Sequence, residues 1–270
     1  MSFWDHLEEF RWTLIRIIIA VVTFSIAGFI LIPRIFDNVI LAARSSDFVT
    51  YRFLEKAGEY IPFLPDFSAQ AFEVEILNIS MTTQFMTYIS TSLAFGVLCT
   101  IPYILYELWK FVSPALYENE AKGVKTAFGL GGFMFVIGSM VGYFVVFPLI
   151  FRFLITFELS DSIENMISLD SYMSNFYTLI LIMGLVFEMP LVFWLLSNLG
   201  LVYRPFFRKY RRHAVVGALL AAALITPSGD PFSLIVVTIP IYMLWEISAF
   251  MVKKEPPAVE DEQDLPATTE

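Results

Sequence analysis

Cysteine is nearly missing from this chain. Cys99 is the one cysteine in 270 residues, so an intrachain disulfide and CxxC metal or redox chemistry are excluded. Histidine is almost as scarce, with His6 and His213 far apart in the sequence. None of G-x-S-x-G, H-E-x-x-H or G-x-x-x-x-G-K-[ST] occurs. Gly129, Gly131 and Gly132 do not follow a strand, so they form no phosphate loop. The chain is therefore expected to have no catalytic residues, no bound metal and no cofactor, and not to hydrolyse ATP. Charge is sparse as well: 16% of residues are charged, against about a quarter in soluble domains. The net charge of −9 argues against nucleic acid, which demands basic patches.

What the chain has instead is apolar length. Hydrophobic residues make up 57% of it, arranged in runs that a bilayer must solvate. Six runs stand out: 12–32 closed by Pro33, 81–105, 126–150, 172–199, 213–226 and 232–252. The expected fold is an all-α integral membrane protein with six transmembrane helices in a single domain, 1–252. No cleavable signal peptide is expected, because the first run is too long for an h-region, lacks an A-x-A-like site and follows an acidic stretch. Run 213–226 is short, reaching about 21 Å against a hydrocarbon core of about 30 Å. Snorkelling by Arg211, Arg212 and His213 or a locally thinned bilayer would accommodate it. The tail 253–270 has six carboxylates, three prolines and no aromatic residue, and reads as a disordered acidic cytoplasmic segment.

Basic loops stay cytoplasmic. With both termini inside, twelve Lys and Arg fall inside and five outside, which favours N-in and C-in and an even number of spans. The outer stretch 34–78 carries Phe48, Tyr51, Phe53, Leu54, Tyr60, Phe63, Leu64, Phe67 and Phe72, too apolar for a floppy linker. It is expected to form an ordered cap. Gly131, Gly138 and Gly142 share one helical face, and Gly217-x-x-x-Ala221 repeats the pattern. Both predict close helix packing within the bundle. Ser80, Gln84, Thr87 and Thr91 form a polar stripe that should face a neighbour or a wet cavity.

Glu188 is the clearest anomaly. It lies about 15 Å into its helix from the inner end, where an unpaired carboxylate is costly. Pro190 frees the carbonyl of Val186 and kinks the helix. Glu188 therefore either caps that local defect or serves a function, facing a hydrated concavity with Gln84 as a second intramembrane polar residue. Glu246 lies nearer the inner end, where interfacial placement is the plain alternative. Two inner acidic clusters, Asp5-His6-Leu7-Glu8-Glu9-Phe10-Arg11 and Tyr117-Glu118-Asn119-Glu120, read either as helix-start acids or together as a cation site.

Four of these segments, in order, carry a resemblance that covers nearly the whole chain. His6-Leu7-Glu8-Glu9-Phe10-Arg11, the stretch from Pro102 through Tyr103, Glu107 and Pro114 to Glu120, Phe187-Glu188-Met189-Pro190, and Thr226-Pro227 with Asp230 resemble motifs of the TatC family. That family is the core of the twin-arginine (Sec-independent) protein translocase. Phe10 stands where Leu is usual, Glu107 where Gln is common, and Ala121 where a basic residue follows. The acidic Glu107 is expected to change the loop's affinity for cations. The resemblance implies a cup-shaped six-helix bundle in the bacterial inner membrane, with short fifth and sixth helices. It implies a receptor for folded substrates with twin-arginine signal peptides, driven by the proton motive force. Its partners would be single-span subunits of the TatA/TatB type, the lipid bilayer and, in a homo-oligomer, further copies of the chain. Glu9 and Glu120 match the positions that hold the arginine pair, with Arg11 and Glu118 beside them. Two adjacent guanidiniums suit bidentate carboxylate pairing. Pro102, Pro114, Pro190, Asp230 and Glu246 are candidates for partner contact or structure. Two other classes compete. A secondary transporter or proton channel with Glu188 as relay would need a second buried ionisable group and inverted repeats. A structural scaffold would need none of Glu9, Glu120 and Glu188.

Overall fold

The computed structural model describes residues 3–58, 74–112, 118–157, 160 and 165–254. In chain order the helices are α1 (Phe3–Ile35), α2 (Val49–Gly58), α3 (Thr83–Val112), α4 (Glu118–Val141), α5 (Phe147–Thr156) and α6 (Leu169–Val186). They continue with α7 (Met189–Asn198), α8 (Arg204–Lys209), α9 (Arg211–Ile225) and α10 (Pro231–Met251). Two-residue strands, β1 (Ile76–Leu77) and β2 (Ile167–Ser168), pair in parallel. Among the described residues, five helical stretches are long and apolar enough to cross a membrane: Leu7–Arg44, Thr83–Leu108, Gly129–Thr156, Leu169–Asn198 and Pro231–Met251. α9 is apolar but has only 15 residues, about 22 Å of helix. The chain is an all-helical membrane protein.

The helices run past the ends that the apolar runs suggest. α1 starts at Phe3 and passes through Pro33, which was expected to close it. Proline cannot bond the carbonyl four residues back, and here that carbonyl, on Phe29, accepts from the Tyr88 hydroxyl of α3. The same device recurs at Pro148. The carbonyl it frees, on Phe144, accepts from the Thr50 hydroxyl of α2. A hydroxyl from a neighbouring element thus replaces the lost backbone donor, and the helix continues.

The stretch between α1 and α3 forms a cap over the described part of its length. Phe48 and Tyr51 are buried, and the Tyr51 hydroxyl lies against the carbonyls of Ala43 (3.1 Å) and Pro148 (3.2 Å). Tyr172 donates to Ile40 at 2.6 Å and Tyr143 to Val39 at 2.7 Å. Both carbonyls lie in the π-turn Phe36–Ile40 that follows α1. Phe53 is exposed, while Tyr60, Phe63, Leu64, Phe67 and Phe72 lie outside the described residues.

Small residues set the helix spacing. α1 and α3 are antiparallel and so close that a Cβ on Gly96 would sit 2.8 Å from the Ser25 backbone nitrogen. α4 packs on α6 in the same way: a Cβ on Gly138 would meet the Met183 carbonyl at 2.6 Å, and one on Gly142 the Ile180 Cα at 2.9 Å. The expectation for Gly217 is corrected. Nothing lies within 4 Å of a Cβ placed there. The buried small residues of α9 are Ala218 and Ala222, one position round the helix, so Gly217 faces outward.

The turn before α10 is held by Asp230. Its carboxylate accepts from the Ser233 N–H at 2.8 Å and from the Ser228 hydroxyl at 2.6 Å. Burial pushes its pKa up, but these bonds outweigh it and hold the group below its ordinary value of 3.8. The stability from a carboxylate held low is complete above the ordinary value and fades as pH falls through the depressed one. Asp230→Ala should cost about 1 kcal/mol near neutral pH. In thermal unfolding across pH, its deficit against the parent should shrink below pH 3.8. A deficit constant with pH would remove the charge from this account.

Candidate functional site

Two carboxylates are buried among the described residues, Glu107 and Glu188, and their surroundings differ. Glu107 is satisfied. One oxygen accepts from the Tyr103 hydroxyl at 2.8 Å, one helical turn earlier in α3. The other meets the Arg16 guanidinium of α1 at 3.2 Å. Breaking such a pair from one side strands a buried charge. The sequence motifs gave Glu107 no partner and Arg16 no role. An arginine inside an apolar run was itself the signal, since its charge must find a counter-charge or reach an interface.

That ion pair, with the contacts of Gly28 on Phe95 and Gly96 on Ser25, sets the antiparallel register of α1 on α3. Continued toward the start of α1, the register brings Glu9 level with Val112, the last residue of α3. Glu9 is two turns from Arg16 on the same helical face, about 10 Å along the axis. It is half-buried, and no ion pair holds it among the described residues. Arg11 is exposed, its guanidinium 5.8 Å from the Trp12 ring centroid. α4 begins at Glu118 and includes Glu120 in its first turn. The side chains of Glu118 and Glu120, and the whole of Pro114, lie outside the described residues.

Glu188 sits at the junction of α6 and α7, where the chain makes a short turn before Pro190. Both of its carboxylate oxygens are buried without a hydrogen-bond partner of good geometry, though the Phe135 backbone lies near enough to act on it. It makes no side-chain cap to α7. It lies against α4 at Gly131, whose missing side chain makes the room. A Cβ there would sit 2.9 Å from the Glu188 carboxylate and 2.5 Å from Leu191. No charged side chain among the described residues acts on it, so the second ionisable group of a proton relay is not beside it.

Glu188 is expected to line a hydrated concavity. A cavity of about 520 Å³ does open between α1, α3, α4 and α6, lined by Thr91, Pro102, Phe135, Ser139 and Tyr177 among others, but not by Glu188. Its lining is mainly apolar. Gln84 does not join Glu188 either. It is exposed in the first turn of α3 and lines a separate cavity of about 530 Å³ with Asp37, Arg44 and Asn78. Leu105, which faces Gly131 near Glu188, lies about 31 Å further along α3. Part of the polar stripe faces a neighbour, where buried Thr91 bonds the Tyr177 hydroxyl of α6, while Ser80 and Gln84 are exposed.

The remaining candidates are placed as follows. Pro190 is buried at the second position of α7. Glu246 of α10 accepts from Arg211 at 2.6 Å and from Tyr242 at 2.9 Å, joining α10 to the start of α9.

Residues 5–240 match the family described as Sec-independent protein translocase protein (TatC). The chain is 36% identical over 255 residues to the Sec-independent protein translocase protein TatC of Blattabacterium sp. subsp. Periplaneta americana, covering 93% of this chain and 94% of that one. It is 35% identical to the protein of that name from Desulforapulum autotrophicum, over 91% of this chain and 82% of the relative. A crystal structure described as the twin arginine translocase receptor TatC superposes with a TM-score of 0.70 at 29% identity. It covers 91% of this chain and 97% of the solved one. With a match that spans both acidic segments, the ion-paired Glu107, buried Glu188 and the Asp230 turn, the chain belongs to the TatC family of protein translocase subunits.

Proposed function

We propose that this chain is the receptor subunit of a twin-arginine protein translocase in the bacterial inner membrane. It binds the arginine pair of a signal peptide at its cytoplasmic face through Glu9 and Glu120. The observation that carries the reading is the α1–α3 register. It brings Glu9, which has no ion pair among the described residues, level with the end of α3, six residues before Glu118 in the sequence. In this reading α9 serves as a sixth, short crossing, so that both termini lie on one side of the membrane, and the bias of Lys and Arg makes that side the cytoplasm. Single-span subunits of the TatA/TatB type complete the machine, and the proton motive force drives it. Glu188 remains within the bilayer for contact with such a subunit.

The test is the affinity of a synthetic twin-arginine signal peptide for the full chain in nanodiscs. A charge-assisted hydrogen bond contributes about 1.5–3 kcal/mol, so Glu9→Gln and Glu120→Gln should each weaken binding by about tenfold or more. A Lys-Lys peptide should bind worse than Arg-Arg, because it lacks the planar fork. Unchanged binding in both variants would remove the assignment.

A further inference from the structure

The chain already contains a guanidinium of its own beside the site proposed for a foreign one. Arg16 lies two turns from Glu9 on the same face of α1, about 10 Å away. Its side chain is 43% exposed, so burial does not lock it in place. One of its nitrogens contacts Glu107 at 3.2 Å, a single bond rather than a bidentate fork. Glu107 is held from the other side by Tyr103 and is almost wholly buried, its side chain 5% exposed. The carboxylate is therefore the more confined partner, and the arginine the more exposed one.

We propose that Glu107 is a specificity-determining residue for arginine-pair recognition: by neutralising Arg16 it keeps the chain's own guanidinium from occupying, and from repelling ligand at, the Glu9 carboxylate. The inference rests on Glu9 as a ligand carboxylate. Without Glu107, Arg16 becomes an uncompensated cation at about one Debye length from Glu9 at 0.1 M salt, where it still acts. It also becomes an in-chain competitor of the same chemistry as the ligand, at high effective concentration. A plain helix staple would use the same two residues, but it makes a different prediction. Losing either end of a staple harms the site, and losing both does not help. A competitor held in check is harmful only when it is released.

Binding of a synthetic twin-arginine peptide to the full-length chain in phosphatidylcholine nanodiscs separates the two. Glu107→Gln should weaken binding by about three- to tenfold. The double variant Arg16→Gln/Glu107→Gln should return to within about twofold of the parent, and Arg16→Gln should bind no more weakly than the parent. Parent affinity for Glu107→Gln, or a double variant as weak as Glu107→Gln, would overturn the proposal. Glu9→Gln is measured alongside. Parent affinity there withdraws both the Glu9 reading and this inference. Weakened binding there with parent affinity for Glu107→Gln withdraws this inference alone. Should Arg16→Gln fail to fold, because it strands Glu107, the charge-neutral double variant still decides.

Discussion

Gly138→Leu is expected to destabilise the bundle by about 3 kcal/mol or more, the upper part of the range for forced overpacking. The reason is what the first added atom meets. A Cβ at this position sits 2.6 Å from the Met183 carbonyl oxygen and 2.6 Å from the Phe187 Cβ. The carbonyl is helix backbone and cannot rotate away, so α4 and α6 must separate along a seam that also holds Gly142 against Ile180. Separation forfeits dispersion contacts, which hold membrane helices together where lipid tails already solvate apolar surface. Gly217→Leu supplies the contrast. The same substitution on α9 meets open space, and better helix propensity should leave stability within about 0.5 kcal/mol of the parent or above it. Unfolding midpoints of both variants in detergent, followed by tryptophan fluorescence, measure the difference. Equal midpoints would show that the α4–α6 seam relaxes freely.

Glu188→Leu should move stability and function in opposite directions. Among the described residues both carboxylate oxygens are buried without a hydrogen-bond partner of good geometry, and a polar group left so costs about 1–3 kcal/mol. Leucine removes the polar atoms and keeps much of the volume between Gly131, Leu105 and Leu191. The variant should therefore unfold later than the parent by roughly that amount. Export of a twin-arginine reporter by cells carrying it as their sole copy should fall severalfold or more. An unpaired carboxyl this far inside the bundle is expected to persist for use rather than for stability. Glu188→Gln keeps hydrogen-bonding capacity and should export better than Leu if a partner's hydrogen bond is its task. A destabilised Leu variant would mean that the carboxyl is satisfied in the folded state. A stabilised variant with full export would leave Glu188 without a function.

Run length and charge placement were enough to place this chain in a membrane and to divide it into helices, because the bilayer demands internally bonded backbone and about 20 apolar residues per crossing. The family was legible in four short motifs for a related reason: each holds residues that lipid would not select, such as Glu188 beside Pro190. Glycines at helical spacing correctly announced the face of α4 that packs, since spacing along a single helix is a local property. The same pattern misled at Gly217, where the neighbour that would fill the groove is absent and the alanines one position round are the ones buried. The ends of α1 were misjudged because Pro33 breaks a helix only if its freed carbonyl stays unpaired, and Tyr88, distant in sequence, pairs it. Gln84 and Glu188 share polarity but sit far apart along the bundle, a separation set by which helix lies beside which. The pairing of Arg16 with Glu107 depends on how α1 slides along α3. That register is fixed by where Gly28 and Gly96 let the two helices touch. Periodicity within one helix says nothing of the partner's sliding position, so long-range pairs of this kind emerge from packing.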